Sequence, residues 1–292
     1  MSFKNFQPTV HAANFLREID QKTVFAQLFS REYTGEAAKL GDEIVFMGVA
    51  DPTITAVSNK EGIISAGNVE SLEDVSLVMK VEQADTFYFG VGDIDRELAM
   101  NGEGLLGKAR QRAAYKQALK IDKYLASLFK DKTEAGKHYA TGSEVALTKA
   151  NIMGEIDKIV QKAEERGMTS SQLYAVITPR FKKLLKQAYT DLDTDNSEKL
   201  KNGFVGKYNG VTFVMSNSVA YSGTINTTSQ IDYIPVFTKD ACGYANPFAE
   251  VEAERLQGKF GDAVKGLTLY DGKIIYPKEV IVMNVKYDTA AL

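Results

Sequence analysis

Gly41-Asp42-Glu43-Ile44-Val45-Phe46-Met47, then Asp74-Val75-Ser76-Leu77-Val78-Met79-Lys80-Val81-Glu82, then Phe87-Tyr88-Phe89-Gly90-Val91-Gly92-Asp93-Ile94-Asp95: these three phrases decide how the chain folds. In the first, Glu43 to Met47 is apolar and β-branched. In the second, Val75, Leu77, Met79 and Val81 alternate with Ser76, Lys80 and Glu82, the period of two that a sheet buried on one face requires. Between them, Asp51 to Glu70 is rich in Gly, Ser, Asn and Thr, the composition of an exposed hairpin tip. A hairpin this long cannot bury its own apolar face and must lean on something else, a partner subunit being the obvious candidate.

The third phrase feeds a long helix, about Asp93 to Lys130. Asp93 can cap it, and Asp95 and Glu97 lie in the first turn, where the helix dipole favours anions. Asn101-Gly102-Glu103-Gly104 is expected to break or kink it. Beyond that point Ala114, Ala118, Ile121, Leu125, Leu128 and Phe129 form an apolar stripe at helical spacing. The other side carries Lys108, Arg110, Arg112, Lys116, Lys120 and Lys123, six cations against the single Asp122. Such a row suits phosphate, and equally a solvated face or acidic groups across a subunit boundary.

Ahead of the hairpin, residues 1–40 read as an arm, with Ile19, Val24, Leu28 and Phe29 giving a ragged helical stripe. Behind the long helix, residues 133–240 read as a mixed α/β block. It has a helix over about Lys149 to Arg166 stopped by Gly167, a strand over Leu173 to Ile177, and a helix opened by Thr178-Pro179. Val211 to Met215 is the next strand. The tail, 241–292, is strand-rich: Phe248 to Leu256, Ala263 to Tyr270, Lys273 to Tyr276 and Val280 to Val285, with Asp271-Gly272 as a hairpin signal.

Composition excludes more than it selects. The 292 residues are 44% hydrophobic and 25% charged, as in ordinary globular proteins, and no apolar run approaches the ~18 residues of a membrane span. The net charge of −3 gives no global basic signature for nucleic acid. Met1 to Pro8 lacks the apolar core of a signal peptide, and the lone Cys242 cannot make a disulfide framework, so synthesis in the cytoplasm is expected.

The motifs that mimic chemistry fail in detail. Gly102 to Ala109 nearly spells a phosphate-binding loop, but Ala109 replaces the hydroxyl that would hold Mg²⁺, and helix rather than strand precedes it. Asp191, Asp193 and Asp195 open a calcium-loop pattern that Asn196 and Asn202 break, since Gly and a bidentate Glu belong there. His11 and His138 are far apart. No catalytic, cofactor-binding or metal residue is therefore assigned. Glu250, Glu252 and Glu254 alternate on one face of a strand with Arg255 beside them, and three like charges need cationic partners within the sheet or across a subunit boundary.

The order of these parts resembles the HK97-like major capsid proteins of tailed bacteriophages. The matching phrases are Gly41-Asp42-Glu43-Ile44-Val45 and the run from Phe87 to Asp95, with Ala175-Val176-Ile177-Thr178-Pro179, Gly203-Phe204-Val205-Gly206 to Ser216-Asn217, and Val251-Glu252-Ala253-Glu254-Arg255 to Gly272-Lys273. Together they cover nearly the whole chain.

That resemblance implies an α+β chain in five parts: an N-terminal arm over a neighbour (1–40), an extended β-hairpin or E-loop (41–91), a spine helix of the peripheral domain (92–132), an apical domain (133–240), and peripheral strands with a C-terminal return strand (241–292). It implies a non-enzymatic icosahedral shell of pentamers and hexamers without cofactor or membrane, a separate scaffolding protein and a portal, and packaged double-stranded DNA held by non-specific contact. Localisation would be the virion capsid, after assembly in the host cytoplasm. Lys60 is the lysine at the loop tip where some members crosslink, and it joins Glu250, Glu252, Glu254 and Arg255 as an inter-subunit contact. The six cations of the long helix become a lumen-facing row. An encapsulin-like compartment shell is the near alternative, and a soluble α/β enzyme with its site in 133–240 the distant one.

Overall fold

A computed structural model describes residues 19, 23–31, 40–49, 74–93, 102–130, 139–140, 144–168, 173–191, 204–225, 227, 229–258 and 260–287. The hairpin tip with Lys60, both histidines, and residues 192–202 of the acidic loop lie outside them.

The two arms pair as the alternation predicts: β1 (Glu43–Val49) runs antiparallel to β2 (Asp74–Lys80), with Glu43 opposite Lys80 and Phe46 opposite Leu77. One expectation fails here. The apolar face of the hairpin base does not wait for a neighbour. Ile44, Phe46, Met79 and Val81 are buried against Ala245 and Leu269 of the same chain.

That platform is a three-stranded antiparallel sheet in the order β11 (Cys242–Arg255), β12 (Gly261–Ile274), β3 (Gln83–Gly92). Asp271-Gly272 is not a turn. β12 passes straight through it, pairing Asp271 with Ala245 and Gly272 with Tyr244, and the actual reversal lies at 256–260. The cause is tertiary. Asp271 accepts hydrogen bonds from the Glu82 N–H (2.9 Å), the Tyr124 hydroxyl (2.7 Å) and the Gly272 N–H (2.7 Å). A Cβ on Gly272 would stand 2.4 Å from Leu125 Cδ2, so glycine is there to let a helix approach.

That helix is α2 (Gly102–Ser127), which follows the short α1 (Phe25–Leu28) in chain order. Gly102 and Gly104 fall inside its first turn, so the near phosphate-binding motif is helical. Ala114, Ala118, Ile121 and Leu125 are buried, as the stripe requires.

Within the stretch read as an arm, Thr23 to Arg31 packs on the body of its own chain. Phe25 and Phe29 pack on Phe129 (6.1 and 6.0 Å between ring centroids), and Phe29 also meets Phe237 (5.6 Å). Ser30 bridges β11, donating to the Cys242 carbonyl and accepting from the Tyr244 N–H, each at 2.9 Å.

The α/β block and the return strand build one eight-stranded mixed sheet. Its main path is β4 (Tyr139–Ala140), β13 (Val280–Tyr287), β10 (Ile231–Thr238), β6 (Leu173–Ile177), β8 (Val211–Met215), β7 (Phe204–Tyr208). The short β5 (Val145–Leu147) joins β13, and β9 (Tyr221–Ser222) joins β10. On one face lie α3 (Ile152–Glu165) and α4 (Pro179–Asp191), burying Ile156, Ile159, Phe181 and Leu185 against Ile234, Val236 and Met283. α3 ends at Gly167, whose φ of +77° is the left-handed stop expected there. The other face, through Tyr233, Phe237 and Val282, joins α2, α1 and the three-stranded sheet in a second core. Residues 280–287 thus complete the large sheet.

Candidate assembly surface

Two charged surfaces are built by these elements, and the three-stranded sheet separates them. Its inner face carries Asp85, Val264 and Tyr270 toward α2: Lys120 pairs with Asp85, Tyr270 donates to Asp85 (2.8 Å), and the Tyr124 and Tyr270 rings meet edge to face at 5.7 Å. Burial, then the neighbouring carboxylate, pushes both tyrosine hydroxyls well above their ordinary range. They stay protonated and act as donors.

The outer face carries the alternating acids. Glu252 stands opposite Lys265 in the register, and Lys265 opposite Tyr88. Lys265 pairs with Glu252 at 2.8 Å and Glu254 at 3.3 Å, and the Tyr88 hydroxyl donates to Glu254 at 3.2 Å. The ammonium holds the Glu252 carboxyl below its usual range, and Glu252 and then Glu254 push the Lys265 pKa up. Arg255 points elsewhere, to Asp93 (2.6 Å) and Asp262 (3.6 Å), and pins the hairpin end to the end of β3. Glu250 is exposed. The in-sheet partners that the acid row needs are therefore present for two of its three glutamates, through a lysine that the sequence pattern did not single out.

The cations of α2 divide. Lys120 is tied to Asp85 and Arg110 is half-buried, whereas Lys108, Arg112, Lys116 and Lys123 are exposed and form no ion pair among the described residues. Asp122 is no counter-ion to them. It is 2% exposed and turned inward, where it accepts from the N–H groups of Val24 (2.8 Å) and Phe25 (3.1 Å) and so caps α1 from 97 residues away. Burial pushes its carboxyl up to about 6, against the pull of those N–H groups.

Nothing in the described residues assembles a reaction centre. No group of His, Cys, Asp and Glu there is placed to hold a metal. Burial, then Glu279, raises the Cys242 thiol far above its ordinary range, which makes it a poor nucleophile. A gap within the α/β block is lined only by apolar side chains, among them Ile156, Phe181, Phe213 and Met283.

No protein-family model and no curated protein sequence matches the chain. Solved structures do. One from Mycobacterium phage Che8 superposes with a TM-score of 0.72 at 23% identity, over 89% of this chain and 90% of that one. The capsid of the cyanophage P-SCSP1u gives 0.65 at 14%, over 91% and 89%. A virus-like particle from Pyrococcus furiosus gives 0.55 at 8%, over 94% and 98%. This chain shares the mixed α/β fold of these structures.

Proposed function

We propose that the chain is a major capsid protein of a tailed phage, which closes into an icosahedral head around a double-stranded DNA genome. The observation that carries this reading is the end-to-end agreement with phage shell structures, about nine-tenths of both chains in each case. The role is structural and not enzymatic.

In this reading β1–β2 is the base of the E-loop, α2 the spine helix, the eight-stranded sheet with α3 and α4 the apical domain, and β11, β12 and β3 the peripheral sheet. Pentamers and hexamers, a separate scaffolding protein, a portal and a virion location follow, with assembly in the host cytoplasm. Lys60 and the row Glu250, Glu252 and Glu254 are the inter-subunit groups. Arg255, already bridging Asp93 and Asp262, supports that contact from within the subunit. The free cations of α2 are open to duplex phosphate in the lumen or to a neighbour's carboxylates.

The second reading, a compartment shell with a protein cargo, draws on the Pyrococcus particle, at a lower TM-score than the phage structures named above. Negative-stain electron microscopy with size-exclusion chromatography tests both. Closed shells or capsomer rings are expected, and their contents separate genome from cargo. A monomer or dimer under every salt and scaffolding condition overturns the shell.

A further inference from the structure

We infer that the outer face of the three-stranded sheet, with Glu250, Glu252, Glu254 and Tyr88, docks on the exposed basic row of α2 in a second copy of this chain. The inference rests on the shell reading and specifies one contact within it.

Three observations carry it. The two rows cannot meet inside one subunit, because α2 packs on the inner face of the sheet and the glutamates stand on the outer face. Their charges are opposite and incompletely neutralised. Lys265 is the single cation paired within the acid row, while Lys108, Arg112 and Lys116 have no anionic partner among the described residues. Their spacings also agree. Residues four apart on a helix rise about 6 Å per step, and alternate residues on a strand about 7 Å, so three cations can follow three carboxylates.

The basic row is unfavourable alone, through like charges at i,i+4 on a helix, and in the acid row Lys265 offsets the like charges of Glu252 and Glu254 but makes no ion pair with Glu250. Each also centres on an exposed aromatic, Tyr88 at 59% and Tyr115 at 49%, the residue type that anchors interfaces. A contact between two different patches of identical chains is head-to-tail. It repeats from copy to copy, as a ring or shell requires.

The test is charge exchange in the full chain, read as the concentration at which shells form by sedimentation and negative-stain microscopy. Circular dichroism and a thermal melt confirm that each unassembled variant is folded. K108E/R112E/K116E and E250K/E252K/E254K should each raise that concentration at least about tenfold, as expected when several exposed ion pairs are replaced by repulsion. The neutral E250Q/E252Q/E254Q should give a smaller rise in the same direction, and it covers the case in which the lysine variant misfolds. All six changes in one chain should restore assembly toward wild type.

Wild-type shells with variants that assemble at the wild-type concentration overturn the inference and leave the shell reading intact. A wild type that never assembles overturns the shell reading itself. A helix variant that assembles normally but no longer retains a 30-base-pair duplex at low salt assigns the row to DNA, and also overturns the inference.

Discussion

In the eight-stranded sheet, Ile231–Thr238 and Val280–Tyr287 are buried at almost every residue, while Gln83–Gly92 of the three-stranded sheet alternates between shielded and open positions. The first pattern is that of strands covered on both sides, here by α3 and α4 on one face and the second core on the other. The second is that of a sheet with one face committed to α2 and the other covered by the hairpin base around Leu267 and Leu269, with the Glu252 and Lys265 end left outward. The same α+β chain thus contains a sheet covered on both faces and a sheet with part of its outer face left open. Stability should reside in the first and assembly in the second.

The largest test strikes where the blocks join. Phe237 is fully buried between Phe29 and Phe129, so Phe237→Ala should cost the isolated subunit about 4 kcal/mol in urea unfolding. A loss under 1 kcal/mol would mean that the two cores are not continuous there. Next comes Gly272→Ala, about 2 kcal/mol from overpacking against Leu125. In a Leu125→Ala background the same change should be nearly neutral, and simple additivity would refute the close approach.

Asp122 gives a pH signature. Its folded pKa, about 6, exceeds the model-peptide value near 4, so its favourable contribution is full below about pH 4 and is lost as pH rises through 6. Relative to Asp122→Asn, the wild-type subunit should gain about 1 kcal/mol between pH 7 and pH 5. A flat difference would place the carboxylate in water. The smallest effect is Tyr88→Ser on the outer face: under about 0.5 kcal/mol on subunit unfolding, with a measurable rise in the concentration needed for shells. A large loss of stability would make that face part of the core.

Much of this division was legible in the residues. Alternation placed β1 and β2, the helical stripe placed α2, and Thr178-Pro179 placed the start of α4, because each signal is local and periodic. The failures all involve partners distant in sequence. Asp271-Gly272 carries the chemistry of a turn, and only the approach of Leu125 and Tyr124 turns it into mid-strand. Asp122 looked like one anion on a cationic face, since periodicity tells which side a residue is on and not what covers it. Lys265, the cation that answers two glutamates, has no local pattern to mark it, and neither has the shared burial of the hairpin base on Ala245 and Leu269.

The place of β13 bears on timing during synthesis. It is made after every other strand described, yet it lies between β10 and the β4 and β5 edge, and its Val280, Val282 and Met283 fill both cores. A ribosome that has released everything up to residue 279 holds a subunit whose largest sheet has a gap and whose β10 shows a bare edge. Folding must wait for the last eight residues of that sheet. Until then the bare β10 edge is an open template for pairing with another chain, and residues 280–287 of the same chain are what close it.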